Sequence, residues 1–244
     1  MEQTKEEQIL KNGVLPTVKS AGLILYFIIA QVLISFIVIG IKIATDTDWV
    51  YAVNDCLNEN GMLSSEYFAL IMELLVPVTM LADIVIALPI VIKAFVKKEK
   101  LYKSINIKEI LGYAILGVVL NIVISFIVNL LPQNITSDYN AMMDQVMIGN
   151  FFITFLATGI VAPVVEELLF RYCICDWYHN EKLGIFMSAF IFGLAHMNLI
   201  QSTYAFLLGL ILAYLYKKKN NLTVPTIIHI AINCSSVLFT YFIG

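Results

Sequence analysis

The chain has 244 residues, of which 60% are hydrophobic and 14% charged, and its formal net charge is −3. Soluble domains are ordinarily about 45–50% apolar and about 25% charged. The composition therefore excludes a disordered chain, a nucleic-acid-binding arm, a secreted disulfide scaffold and a water-soluble globular domain. The four cysteines lack C-x-x-C spacing, which predicts neither a zinc site nor a disulfide framework. We expect an all-α fold, a polytopic transmembrane helical bundle.

The bundle is expected to have about seven membrane spans, because roughly 20 helical residues cross the hydrocarbon core. The apolar runs lie at 20–43, 66–96, 109–131, 151–175, 183–198, 201–216 and 222–243. The runs at 183–198 and 201–216 would each reach only ~24 Å, so we predict either tilted helices or a re-entrant pair. The first run has no A-x-A-like cleavage site and is interpreted as a retained helix.

The placement of lysine predicts the orientation, since positively charged loops stay in the cytoplasm. With a cytoplasmic N-terminus, every lysine except Lys42 falls on the cytoplasmic side. The chain then divides into a cytoplasmic N-terminal segment (1–19), three N-terminal spans (20–131) and a C-terminal membrane core (151–243). Arg171 is the single arginine among 15 basic residues, which is typical of an AT-rich genome. We therefore expect an integral protein of a bacterial cell membrane.

The fourth span contains the densest set of charged residues, Glu166, Glu167 and Arg171. A charged group in hydrocarbon is costly, so such residues are functional candidates that need a partner. Glu167 and Arg171 are four residues apart on one helical face, and we predict that they pair. Glu166 lies about 100° around the helix and is left free to act as a base. Pro163 removes a backbone hydrogen bond to Gly159, which predicts a kink and an unpaired carbonyl.

Two histidines lie at similar depth in later spans. His196 follows Phe192 by four residues, and His229 precedes Asn233 by four, so each pair shares a helical face. Counted from the cytoplasmic ends of their spans, Glu166, His196 and His229 lie about 15, 20 and 13 Å deep. They are expected to meet in one buried layer. The alternative for each histidine alone is a polar residue that ties helices together.

Other polar groups in the spans are interpreted as structural. Glu73 and Asp83 have no basic residue at helical spacing, and we expect them to face a wet interior or a helix break. Cys173 next to Arg171 raises the alternative of a cysteine protease. A buried thiol is usually a small apolar group, however, and a reactive one needs a helix N-terminus or a paired base. These residues are left out of the predicted site.

The C-terminal core contains three motifs in order, Glu166-Glu167-Leu-Leu-Phe-Arg171, Phe192-Gly-Leu-Ala-His196 and His229-Ile-Ala-Ile-Asn233. They resemble the EExxxR, FxxxH and HxxxN motifs of the CPBP intramembrane proteases, the relatives of type II CAAX prenyl endopeptidases and of bacteriocin-processing and self-immunity proteins. The resemblance covers residues 151–240. Tyr172 departs from it, since many members have a glycine there.

The resemblance implies an intramembrane endopeptidase that hydrolyses a peptide bond of a membrane-associated protein or peptide precursor. Carried over by position, Glu166 and His196 would activate water, and His229 and Asn233 would stabilise the oxyanion. Glu167, Arg171 and Phe192 would support these four residues. A general base and donors aimed at developing charge are what amide hydrolysis requires in a low-dielectric pocket.

The implied partners are a membrane-embedded or membrane-associated peptide or protein substrate and the lipid bilayer, without nucleic acid. The favoured mechanism uses glutamate-activated water and needs no metal or other cofactor. Two histidines and a glutamate also match the His₂Glu ligand set of zinc, so a divalent metal such as zinc stays open as an alternative.

Two other classes of function compete with hydrolysis. One is a non-hydrolytic membrane immunity or scaffold protein of the bacteriocin self-immunity type, which would bind a peptide without cutting it. The other is a transporter or channel, which would favour an inverted repeat with broken helices in both halves. The motif residues all fall in one half of this chain, which argues against the transporter.

Overall fold

The computed structural model describes residues 5–58, 65–130, 132, 136 and 150–242, which form helices without a strand. The helices are α1 (5–45, with a π-helical turn at Leu10–Val14), α2 (Thr47–Asn58), α3 (Ser65–Val96), α4 (Ile107–Asn129), α5 (151–175), α6 (Glu181–Leu194), α7 (Leu199–Lys219) and α8 (Thr223–Phe242). The all-α fold class is confirmed.

Within the described residues, six helices are long and apolar enough to cross a membrane, namely α1, α3, α4, α5, α7 and α8. The seventh predicted span, 183–198, is helix α6, which has only 14 residues and a length of ~21 Å. It packs along α7, which has 21 residues. The pair at 183–216 therefore consists of one short helix and one full-length helix. In the described parts of the chain, the integral membrane bundle thus has six long helices and the two short helices α2 and α6.

Asparagine side chains begin many of these helices. A helix leaves its first N–H groups unpaired, and in an apolar environment each unpaired group is costly. Five asparagines accept hydrogen bonds from those groups, namely Asn106, Asn150, Asn180, Asn198 and Asn221. Asn106 also forms a capping box with Glu109. The caps explain why the helix boundaries follow the ends of the apolar runs. Helix α2 was not predicted, because it lies in a polar stretch.

Helix α5 lies at the centre of the C-terminal core. It contacts α3 and α8 through its first half and α6 and α7 through its second half. The main apolar cluster combines residues of α3, α5, α6 and α7, and its fully buried members include Ile86, Leu169 and Ile174. A second cluster joins α7 to α8 around Leu208 and Ile228. The polar groups of α5 are therefore surrounded by packed helices.

Glycine allows α4 to approach α8 closely. A methyl group on Gly117 would lie 2.6 Å from the Ile228 carbonyl oxygen and 2.7 Å from the Ala231 side chain. Ile228 immediately precedes His229, so this contact sets the position of one predicted site residue. A methyl group on Gly112, on the same helix, would have no neighbouring side chain or backbone within 4 Å.

We predict that Gly117→Ala destabilises the protein by about 1–3 kcal/mol, because overpacking forces α4 and α8 apart. The matched variant Gly112→Ala should be neutral or slightly stabilising, since alanine is the better helix former. Thermal unfolding in detergent measures both. Equal melting temperatures for the two variants would show that the α4–α8 contact is not tight.

Candidate active site

Helix α5 departs from α-helical geometry on both sides of the predicted carboxylates. Its segments Phe155–Val161 and Glu167–Cys175 are π-helical, and the α-helical turn Ala162–Glu166 lies between them. The π-helix is rare in proteins as a whole, and where π-helical turns do occur they are often at functional sites. This geometry determines which carbonyl groups and which side chains α5 presents to its neighbours.

The π-helical register changes the consequence of Pro163. The Ala162 N–H donates to the Ala157 carbonyl, five residues back, so the missing N–H of Pro163 leaves the Thr158 carbonyl unpaired. Asn233 Nδ2 donates to that oxygen over 2.9 Å. Gly159, which an α-helical register would leave unpaired, accepts from the Cys234 thiol over 3.4 Å. The unpaired carbonyl that Pro163 was expected to leave is therefore not found, because side chains of α8 donate to both the Thr158 and the Gly159 carbonyl oxygens.

The predicted pairing of Glu167 with Arg171 is confirmed. Arg171 Nε lies 3.1 Å from Glu167 Oε2, and both side chains are 0% exposed. The guanidinium carbon lies 4.6 Å from the centre of the Phe192 ring. Arg171 Nη1 lies 3.5 Å from Ser188 Oγ, which itself donates to the Phe170 carbonyl over 2.7 Å. The arginine thus connects α5 to two buried residues of α6.

His229 lies between the two glutamates. Its Nδ1 is 2.9 Å from Glu167 Oε1, and its Nε2 is 3.4 Å from Glu166 Oε2. A carboxylate paired with arginine only accepts hydrogen bonds, so His229 Nδ1 donates in the first contact. Glu166 keeps 24% of its side chain exposed, whereas His229 keeps 3%. Glu166 is therefore the accessible end of a buried chain that runs from Arg171 through Glu167 and His229.

Phe192 connects the two histidines. Its ring centre lies 4.9 Å from that of His196 and 5.6 Å from that of His229, both nearly perpendicular. His196 Nδ1 is 2.8 Å from the Phe192 carbonyl oxygen. His196 follows the end of α6, so the shortness of that helix places it at the tip of the α6–α7 hairpin. Six predicted residues form one connected set: Glu166, Glu167, Arg171, Phe192, His196 and His229.

Asn233 makes a different contact from the one expected of it. We predicted that His229 and Asn233 aim at one target, but His229 contacts the glutamates while one Asn233 N–H is bound to the Thr158 carbonyl. An amide nitrogen has two N–H groups, so one remains for a ligand. The sequence did not reveal this contact, because it depends on the π-helical register of α5.

The two other intramembrane acids, Glu73 and Asp83, differ in how much they are exposed. Glu73 is exposed, and Asp83 is 8% exposed. Asp83 accepts a hydrogen bond from Gln31 Nε2 of α1 over 2.6 Å. The sequence does not reveal this partner, because Gln31 and Asp83 lie on different helices. Cys173 lies in the main apolar cluster, as the structural interpretation of this thiol predicted.

The residues that could hold zinc also make contacts within the protein. Both ring nitrogens of His229 face carboxylates, and Nδ1 of His196 faces the Phe192 carbonyl. In the part of the chain that the structure describes, no group of three histidine, cysteine or acidic side chains is arranged to hold a metal ion.

Comparison with known proteins finds a match to a protease family. Residues 148–235 match the family model described as type II CAAX prenyl endopeptidase Rce1-like. This match confirms the resemblance inferred from the three motifs, over the region that contains all six connected residues and Asn233. No solved structure matches the chain significantly.

The similar curated proteins come from Lactococcus lactis subsp. lactis (strain IL1403). UPF0177 protein YxdF is 34% identical over 76 residues, which cover 31% of this chain and 43% of that protein. UPF0177 proteins YaiF and YbdI are each 24% identical, over 57% and 67% of this chain and over 66% and 93% of their own lengths. The match thus spans less than half of YxdF and about two thirds of YaiF.

We predict that Arg171→Leu destabilises the protein by about 3–5 kcal/mol, because it leaves Glu167 as an uncompensated buried charge. The double variant Glu167→Leu/Arg171→Leu should be more stable than the single variant, since it removes both charges. Lys42→Leu breaks a partly exposed pair with the same spacing and should change little. Denaturation in detergent gives all three values. If Arg171→Leu unfolds like Lys42→Leu, the buried pair does not stabilise the site.

Proposed function

We propose that the protein is an intramembrane endopeptidase that cleaves a membrane-associated protein or peptide precursor with glutamate-activated water. The observation that carries the proposal is the partly exposed carboxylate of Glu166 at the end of a buried chain of charged groups. An accessible carboxylate beside an imidazole supplies the base that amide hydrolysis needs. The family match over residues 148–235 supports the same chemistry.

The proposed reaction begins with a water molecule held by Glu166 and His196. Glu166 accepts a proton from the water, whose oxygen attacks the carbonyl carbon of the scissile bond. The C–N bond of the tetrahedral intermediate then breaks, and the proton held by Glu166 passes to the leaving amine. Atoms balance as one water consumed per peptide bond cleaved.

His229 and Asn233 are proposed to stabilise the oxyanion of that intermediate. The free N–H of Asn233 is available for this role, because only one is bound to Thr158. His229 donates through Nδ1 to Glu167, so an oxyanion role requires a second proton on Nε2. Glu167, Arg171 and Phe192 hold His229 in place. In this proposal Glu166 acts as the base and Glu167 holds His229, so the two adjacent glutamates have different roles.

The proposed setting is a bacterial cell membrane with the N-terminus in the cytoplasm. The lysines at the ends of α3 and α7 and at the start of α4 support this orientation. The Lactococcus relatives support a bacterial source. In this orientation the glutamates lie in the cytoplasmic half of the bilayer, so the substrate presents its scissile bond there.

We predict that Glu166→Gln abolishes processing while the fold is kept, because the amide is close to isosteric but cannot accept the proton. Membrane peptides and protein fragments from cells with wild-type and variant proteins, at matched expression, are compared by mass spectrometry. Specific fragments should vanish and their precursors accumulate. The control Glu73→Gln changes an exposed acid outside the cluster and should match wild type.

Identical fragments from wild type and Glu166→Gln would contradict hydrolysis. If deletion of the whole protein still produced a phenotype in that case, the non-hydrolytic immunity or scaffold function would replace the protease.

A further inference from the structure

The turn between α6 and α7 is tight and contains His196. The His196 N–H donates to the Gly193 carbonyl over 3.2 Å, and the Asn198 N–H donates to the His196 carbonyl over 2.8 Å. The second bond closes a three-residue turn with Met197 at its centre, where φ is 54°. Three-residue turns with a positive central φ are rare and strained. A strained backbone thus lies directly beside a residue of the proposed site.

The two helices hold this turn in place. A methyl group on Gly193 would lie 2.8 Å from the Ser202 carbonyl oxygen, so α6 and α7 are in close contact next to the turn. The Asn198 side chain accepts hydrogen bonds from two N–H groups in the first turn of α7. The backbone of Met197 is therefore fixed relative to His196.

Methionine is an unfavourable residue for the centre of this turn. Glycine adopts a positive φ without steric cost, whereas a residue with a Cβ does so at a cost. In the described part of the chain, the other non-glycine residues with positive φ are the polar Lys98 and Asn220. The Met197 side chain is 88% exposed, so packing within the protein does not offset the cost. A contact outside the chain would explain a large apolar side chain at this position.

Two more apolar side chains lie next to Met197. Leu194 and Leu199 are both exposed, so three large apolar side chains flank His196. The His196 ring lies 4.9 Å from that of Phe192, which in turn lies 5.6 Å from that of His229. The Cα atoms of consecutive residues are about 3.8 Å apart. The apolar group is thus continuous with the connected set of site residues.

We propose that Met197 binds the substrate, contacting a large apolar side chain next to the scissile bond and so selecting substrates that have one there. An extended peptide advances about 3.3 Å per residue. A peptide whose scissile carbonyl lies beside His196 therefore brings its neighbouring side chain within reach of Met197. The flexible, polarisable thioether adapts to apolar partners of different shapes. This inference rests on the proposed protease function and adds a specificity-determining residue outside the three motifs.

The test uses the full-length protein in detergent and the precursor that accumulates in Glu166→Gln cells. Met197→Asn removes the apolar side chain but suits the turn, because asparagine tolerates a positive φ. KM should rise about three- to tenfold while kcat stays within about twofold. Binding of the precursor to Glu166→Gln/Met197→Asn should weaken by the same factor relative to Glu166→Gln. The melting temperature of Met197→Asn should not fall, since the substitution relieves strain.

Met197→Leu should raise KM less than Met197→Asn, because leucine keeps an apolar side chain. Leu207, which is exposed on α7, provides the control Leu207→Ala, which should not change KM.

Unchanged KM and binding for Met197→Asn, with Glu166→Gln inactive, would show that Met197 faces only lipid and would overturn this inference while leaving the protease function standing. A fall in kcat with unchanged binding would overturn it too, because Met197 would then act through His196 and not on the substrate. Cleavage by Glu166→Gln at the wild-type rate would instead overturn the protease function and this inference with it.

Discussion

The structure of the site depends on the ion pair between Arg171 and Glu167, which lies entirely out of contact with solvent. A single buried charge in hydrocarbon costs several kcal/mol, so neither residue is tolerable without the other. Glu167 also holds the imidazole of His229, and Arg171 lies over the ring of Phe192. The pair therefore fixes one residue from each of the other two motifs. Glu166 contacts His229 but keeps 24% of its side chain exposed.

The bundle supplies the geometry that this pair needs. Helix α5 is packed on both sides by other helices, and close glycine contacts let α4 and α8 approach each other. The short helix α6 ends at Leu194, two residues before His196, whose ring contacts that of Phe192. Helix α6 is too short for an ordinary membrane span, and this shortness positions His196 in the site.

The sequence predicted the helices well because each apolar run is a direct consequence of the bilayer thickness. It also predicted the Glu167–Arg171 pair, since both residues lie on one helix at a known spacing. Contacts between helices could not be predicted in this way. The bond from Asn233 to Thr158 follows from a π-helical register, and the Gln31–Asp83 pair joins two different spans. The sequence predicted that His229 meets Glu166, but its position between two glutamates depends on the packing of α8 against α5.

The most direct test of the account is cleavage of the accumulated precursor by the purified protein in ¹⁸O-labelled water. Hydrolysis by glutamate-activated water predicts one ¹⁸O atom in each new C-terminal carboxylate, with no labelled product from Glu166→Gln. Labelled product from Glu166→Gln at the wild-type rate, or no product from the wild-type protein, would contradict the claim that this cluster performs hydrolysis.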